Sequence, residues 1–338
     1  MTLPQPMQRF GLIPCGLLPS LPVGEGEVLL VIEDRFTDQK GQKKKGTTMG
    51  KTMFYINGKF VDENQAYISV MDHGFLYGDG VFDAFRVYNG KIFQFDSHMN
   101  RLYDSARIID LDIPLGKEQF KNIIMETVRR SGYKDCYIRP QVTRGIGSLG
   151  HDPGTCKEPS IIVYVTPTPV LKKERSIRTI ISSYRRPPAF ILPPESKITH
   201  YMNNILGKME ARKRGADDAI LLDMRGFVSE GCAWNIFLVK NKRVATPSIT
   251  SSILRGITRD VVIQLLNEMN ITVEERDVTV SELFTADEIF GTGTGSGISP
   301  VIEINGRAVG DGRPGPTTNE TEIRLKELIE KTGTPVYE

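Results

Sequence analysis

Three Asn-Gly pairs do most to limit how this chain can fold. Asn57-Gly58 lies between Phe54-Tyr55-Ile56 and Lys59-Phe60-Val61. Asn89-Gly90 lies between Phe85-Arg86-Val87-Tyr88 and Lys91-Ile92-Phe93, and Asn305-Gly306 between Val301-Ile302-Glu303-Ile304 and Arg307-Ala308-Val309. A two-residue Asn-Gly loop suits a type I′ turn, in which both central residues need positive φ and the twist matches that of two antiparallel strands. The three hairpins predict substantial antiparallel sheet. Helical spacing appears between them. Residues 97–109 place Met99, Leu102, Ala106 and Ile109 on one face, and Phe120, Ile123, Ile124 and Val128 form a second set stopped near Gly132. A third helix is predicted from about Tyr201 to Arg214, with Met202, Ile205, Leu206 and Met209 on one face and Gly215 as its stop. Residues 258–270 and 321–331 carry two more. These elements do not alternate as βαβ units, so the class expected is mixed α+β.

Residues 1–52 stand apart. The apolar stretch 12–23 is broken by Pro14, Pro19 and Pro22, and it lacks the basic flank and cleavage site of a signal peptide. With the polar, basic tract at 40–46 it reads as a poorly ordered extension or an over-long start, Met49 and Met53 being alternative starts. Val165-Thr-Pro-Thr-Pro-Val-Leu-Lys-Lys173 predicts an extended connection, because each proline disfavours helix at the residue before it. A smaller α/β domain is therefore expected over 53–166, a linker over 167–174 and a larger domain over 175–338.

Charge and cysteine usage exclude several roles. The net charge of +2 gives no reason to expect nucleic acid or an acidic membrane as partner. Cys15, Cys136, Cys156 and Cys232 lie far apart with no CxxC spacing, so neither a zinc site nor a disulfide framework is expected, and a reducing cytoplasm fits. The histidines form no HExxH, no metal is expected, and no apolar run approaches the roughly 20 residues of a membrane span.

Several segments could carry chemistry. Gly291-Thr-Gly-Thr-Gly-Ser-Gly297 follows an apolar strand end; its glycines would let backbone N–H groups approach an anion, or it is simply a flexible turn. It is neither a Walker loop nor a GxGxxG motif. Leu254-Arg-Gly-Ile-Thr-Arg-Asp260 opens a helix, whose free N–H groups and dipole favour phosphate; the plainer alternative is a Thr258 N-cap. Arg101, in His98-Met-Asn-Arg101, reads alone as a solvated charge. Lys197, just before the third helix, reads alone as a surface residue, and Glu230 sits in an ordinary strand–turn–strand segment.

The combination is distinctive. Gly78-Asp-Gly-Val-Phe82, His98 to Arg101, Lys197, Glu230-Gly231, Asn235-Ile-Phe237, Gly256-Ile-Thr-Arg-Asp260 and the 291–297 turn occur in one order over about 220 residues. Together they resemble the class IV aminotransferases, pyridoxal-phosphate (PLP) enzymes of fold type IV, over residues 53–338. The family includes branched-chain and D-amino-acid aminotransferases, (R)-amine transaminases and aminodeoxychorismate lyases. The resemblance implies a two-domain fold with a larger, mixed-sheet, barrel-like PLP domain and active sites at a homodimer interface.

By that resemblance Lys197 would hold PLP as an imine and, once freed by substrate, shuttle the proton. Glu230 would pair with the pyridine nitrogen. Arg101, Ile257, Thr258 and Thr294 would bind the phosphate, and Tyr201 would reach the cofactor O3′. Tyr137-Ile-Arg139 and the loop after it look like the branched-chain group. Arg139 would then meet the side-chain carboxylate of glutamate or 2-oxoglutarate, Tyr137 and Phe82 would line an aliphatic pocket, and Tyr77 with the backbone of Thr294 and Gly295 would hold the α-carboxylate. Three segments depart from that group's pattern: Phe82-Asp-Ala-Phe-Arg86, where Ala84 and Phe85 add bulk, Glu230-Gly-Cys-Ala-Trp-Asn235, which brings the chain's only tryptophan, and Thr294-Gly-Ser-Gly297. The function expected is PLP-dependent transfer from Leu, Ile or Val to 2-oxoglutarate. The alternatives are a D-amino-acid or broad-specificity transaminase, a lyase on the same fold, or a non-catalytic PLP- or nucleotide-binding protein suggested by the glycine-rich turn.

Overall fold

The structure, a computed structural model, describes residues 50–168 and 176–337. The expectations for residues 1–49 and for 169–175 of the connection lie outside the described residues. Seven helices occur among the described residues: α1 (His73–Tyr77), α2 (Phe95–Ile108), α3 (Lys117–Ser131), α4 (Met202–Lys213), α5 (Ile257–Glu268), α6 (Val280–Thr285) and α7 (Pro316–Lys331). None is long and apolar enough to cross a membrane.

The strands form two sheets. The first runs Thr334–Pro335, Lys91–Ile92, Phe85–Tyr88, Cys136–Thr143, Ser160–Pro167, Met53–Ile56, Lys59–Val61, with Gly80–Phe82 also paired to Cys136–Thr143. Every pairing in it is antiparallel. The second is mixed and has nine strands, with Ile177–Arg185 lying parallel to both neighbours, Asp218–Leu222 and Gly297–Ile304. The α+β class expected from the hairpins is the one observed. All three Asn-Gly pairs form their turns, at φ of 44° and 92°, 47° and 77°, and 52° and 75°.

Alternation along Cys136–Thr143 sets up the site. Cys136, Ile138, Pro140 and Val142 are buried, and the core they join includes Phe95, Met99 and Leu102 of α2 and Phe120, Ile124 and Val128 of α3. Strand side chains alternate faces, so Tyr137, Arg139 and Gln141 point the other way. Arg86 pairs across from Tyr137 and shares that face. The last described residues return to this sheet: Val336 N donates to Gly90 O (2.9 Å), Arg129 Nε to Val336 O (2.7 Å) and the Tyr337 hydroxyl to Tyr133 O (2.7 Å).

In the second sheet, Phe237 and Phe290 stack with ring centroids 5.0 Å apart, and α5 and α7 pack on them through Val261, Val262, Leu265, Leu266 and Leu325. α4 differs from its sequence reading. Met202, Ile205 and Met209 are exposed, and the buried positions are Asn204, Gly207 and Ala211. A Cβ at Gly207 would lie 3.3 Å from Cys232 Sγ and 3.4 Å from Leu221 Cδ2, so the helix lies on the sheet by its small residues. Two other helices start earlier than expected, α2 at Phe95 and α7 at Pro316, and the first residue of α5 is Ile257.

Candidate active site

A cavity of about 570 Å³ lies between the two sheets, within the size range of small-molecule and cofactor sites. Lys197 enters it from a tightly held backbone. Its N–H donates to Ser105 Oγ (3.0 Å), its carbonyl accepts from Phe82 N (2.9 Å), and Thr199 N donates to Gly80 O (2.9 Å). The segment 197–199 is thereby strapped to α2 and to the strand Gly80–Phe82. Lys197 Nζ donates to the Tyr201 hydroxyl (3.0 Å) and lies 4.6 Å from the Phe82 ring centre.

Glu230 is buried on another wall. Its Oε2 accepts from Leu254 N (3.0 Å) and Asn235 Nδ2 (3.2 Å), and its Oε1 pairs with Arg186 Nη2 (3.0 Å). Burial pushes the Glu230 carboxyl above its ordinary range, while Arg186, the Leu254 N–H, Lys197 and Arg101 pull it back. Arg186 was not singled out in the sequence. It stands in Tyr184-Arg-Arg-Pro-Pro188, where nothing local separates it from a surface arginine, yet it is buried and also donates to Asn204 Oδ1 (3.0 Å).

Among the described residues five helix starts lack a capping side chain of their own, α2, α3, α4, α5 and α7, and the last two differ in what fills the place. At α7 a protein carboxylate fills the place: Glu288 Oε2 accepts from Thr318 N (2.8 Å) and Thr318 Oγ1 (2.7 Å), and Oε1 from Thr317 N (3.1 Å). At α5 the N-cap is Gly256, not Thr258, and no side chain caps it. Gly256 cannot carry one, because a Cβ there would collide with Asn235 Oδ1. Among the described residues the N–H groups of Ile257 and Thr258 have no partner, and both residues line the cavity. Arg101 reaches the same corner, donating from Nη1 to Arg255 O (3.1 Å). Thr294 and Gly295 of the glycine-rich turn line the cavity beside them. An anion brought here would meet N–H groups, a guanidinium and a hydroxyl together.

On the first-sheet wall stand Tyr137, Arg139 and Phe82. The Arg139 guanidinium lies 3.7 Å over the Phe82 ring and donates to Gln141 Oε1 (3.2 Å). Burial pushes the Tyr137 hydroxyl up to about 12, so it stays a neutral donor. Of the residues expected at the site, this chain's own fold does not bring Tyr77 there. Its hydroxyl accepts from Gly150 N (2.9 Å), in a loop where Ile146 and Leu149 are exposed. Ala84 lines the cavity, but Phe85 does not add bulk to it: the ring is fully buried against Phe95 and His98.

Trp234 lines the cavity with its indole between Gly231 and Gly291, at both of which a Cβ would overlap the ring. Gly291→Ala is expected to cost about 1–3 kcal/mol through overpacking, and much less in a Trp234→Ala background. Chemical denaturation of the wild type and the three variants, followed by circular dichroism, checks this; equal costs in both backgrounds would mean that the contact does not govern the position.

Residues 80–304 match the family model described as amino-transferase class IV. The chain is 48% identical over 284 residues to a putative branched-chain-amino-acid aminotransferase of Methanocaldococcus jannaschii, covering 84% of this chain and 99% of that one. A solved branched-chain aminotransferase of Thermoproteus uzoniensis with norvaline superposes with a TM-score of 0.80 at 35% identity, covering 85% of this chain and all of that one. A solved branched-chain amino acid aminotransferase of Thermobaculum terrenum, in its PLP form, superposes with a TM-score of 0.77 at 28% identity, covering 84% of this chain and 95% of that one.

Proposed function

The chain belongs to the class IV aminotransferases, PLP-dependent enzymes, and from that premise we propose that it transfers the amino group of L-branched-chain amino acids to 2-oxoglutarate. The observation that carries the reading is the convergence in one cavity of Lys197 with Tyr201, the buried Glu230 and the uncapped start of α5. This donor set fits PLP. Free N–H groups at Ile257 and Thr258, with Arg101 and Thr294, suit its phosphate, Glu230 suits its ring nitrogen, Tyr201 suits its O3′ and Lys197 suits its aldehyde. When bound, the cofactor supplies an electron sink for the charge left as the amino acid Cα–H bond breaks.

The protein's own groups then have distinct tasks. Lys197 Nζ would take the proton from the amino acid Cα and deliver it to the cofactor's C4′, with the Tyr201 hydroxyl fixing where Nζ sits. Glu230 keeps a proton on the ring nitrogen, and Arg186 limits the rise that burial imposes on its carboxyl. Arg139 over Phe82 offers a charged edge and an apolar face side by side. That pairing suits both a distal carboxylate, as in glutamate, and a branched aliphatic chain, with Tyr137 donating to the former. Thr294 and Gly295 face the place of the α-carboxylate. Tyr77 would complete that place from a second copy of the chain, which supports at least a homodimer; a fully active monomer in sedimentation would contradict this.

A screen of donors resolved by enantiomer, with 2-oxoglutarate and other acceptors, tests the substrate reading. Turnover of L-Leu, L-Ile and L-Val is expected, and a loaded enzyme that uses only D-amino acids or amines would overturn it. Arg139→Gln is expected to raise KM for glutamate by about 10–100-fold, the worth of a charge-assisted hydrogen bond, while moving KM for leucine little. Separate half-reactions measure the two, and equal changes would remove Arg139 from the distal-carboxylate role.

A further inference from the structure

We propose that Asp83, braced by His98, is the positioning residue that aims the Arg101 guanidinium at the phosphate, so that removing this negative charge weakens phosphate binding. The proposal rests on the reading of Arg101 as a phosphate residue. Asp83 follows the strand Gly80–Phe82 and is fully buried. It takes the inner edge of Arg101 with both oxygens, Oδ2 from Nε (2.8 Å) and Oδ1 from Nη2 (2.7 Å). His98, one turn before Arg101 on α2, brings Nδ1 to Oδ1 (2.8 Å), and the Ala84 N–H donates to the same oxygen (2.6 Å). The carboxylate is thus fixed from four directions, and the guanidinium plane is fixed with it. Only the outer edge remains, and there Nη1 already touches Arg255 O beside the start of α5.

The charges make direction the deciding factor. Burial alone would raise the Asp83 carboxyl, but Arg101 and His98 outweigh it and hold it well below its ordinary range. Burial keeps His98 below its own ordinary value despite Asp83, so the imidazole is neutral near pH 7. The group Asp83–His98–Arg101 therefore carries no net charge. It cannot attract a phosphate by net charge; it offers rigid N–H donors whose orientation is already set. Simple electrostatics gives the opposite sign, because deleting Asp83 next to a dianion leaves a bare cation and should tighten binding.

The test measures dissociation constants of PLP and of pyridoxal, which lacks the phosphate, on the full chain stripped of cofactor. Quenching of its single tryptophan, the cavity-lining Trp234, reports binding. Asp83→Asn is expected to raise the PLP constant about 10–100-fold, as loss of an orienting partner does for other ligating groups, and to leave the pyridoxal constant in place. His98→Gln, which keeps both charges, should move it the same way by less, and it decides the matter if Asp83→Asn does not fold. PLP binding that is unchanged or tighter in these variants, or an equal loss for both ligands, would overturn the proposal while leaving the role of Arg101 standing. If Arg101→Gln leaves PLP affinity unchanged, the reading of Arg101 fails, and this proposal with it.

Discussion

Lys197→Ala is expected to lower transamination by about a thousandfold or more, at the upper range of what a positioned proton carrier contributes, and to abolish covalent attachment of the cofactor. Both effects follow from one atom, since among the described residues no other lysine lines the cavity. The fold should survive: the backbone around 197 is held through its own N–H and carbonyl groups, which alanine keeps. PLP should still bind through its phosphate and ring nitrogen. Borohydride reduction followed by intact mass separates these outcomes. The wild type should gain a covalent cofactor adduct and Lys197→Ala should not. An adduct persisting in the variant, or near-normal turnover, would move the chemistry to another residue.

The second large effect concerns the Glu230–Arg186 pair. Glu230→Gln is expected to cost about 10²–10³ in kcat, the scale of losing one preorganised electrostatic contact, and to destabilise the fold as well, because it leaves the buried Arg186 guanidinium without its carboxylate. Arg186→Met should reduce kcat similarly and should destabilise the fold by about 3–5 kcal/mol at neutral pH, since it strands a buried carboxylate. The sign with pH follows from the direction of the Glu230 shift. A carboxyl raised in the folded state holds its proton there more readily than in the unfolded chain, so the penalty is full above the folded value. It fades as pH falls toward the ordinary carboxylate range. The Arg186→Met deficit in Tm should therefore shrink from pH 7.5 to 5, and the Glu230→Gln/Arg186→Met double variant should lack that pH dependence. A deficit constant with pH would mean that Arg186 acts by packing alone.

What could be read from the sequence was what local rules govern. The Asn-Gly turns were legible because positive φ is a property of two adjacent residues, and the cores of α2 and α3 because their apolar residues repeat at helical spacing. The corner that suits phosphate was legible as three separate signals, though only the fold brings Arg101 next to Arg255. Contacts between distant segments were not legible. Arg186 meets Glu230 across 44 residues that carry no pattern linking them. Asp83 stood in a segment that drew notice only for Ala84 and Phe85, and its hold on Arg101 depends on how the strand Gly80–Phe82 meets α2. α4 misled because its larger apolar residues face outward. The usable sign was the small, polar or glycine run at 204, 207 and 211, which marks where a helix lies close on a sheet. Phe85 misled for a related reason: strand alternation turns it to the core and its neighbours Ala84 and Arg86 elsewhere.

The strand Thr334–Pro335 bears on the order in which this protein can come together. It pairs with Lys91–Ile92, and Val336 and Tyr337 enter the core beneath α3, whereas every other strand of that sheet lies at or before Pro167. Synthesis delivers residues in sequence. The first sheet therefore waits, with one edge unpaired and part of its core uncovered, while the whole second sheet is made. The half that emerges first can close only after the strand Thr334–Pro335 has emerged.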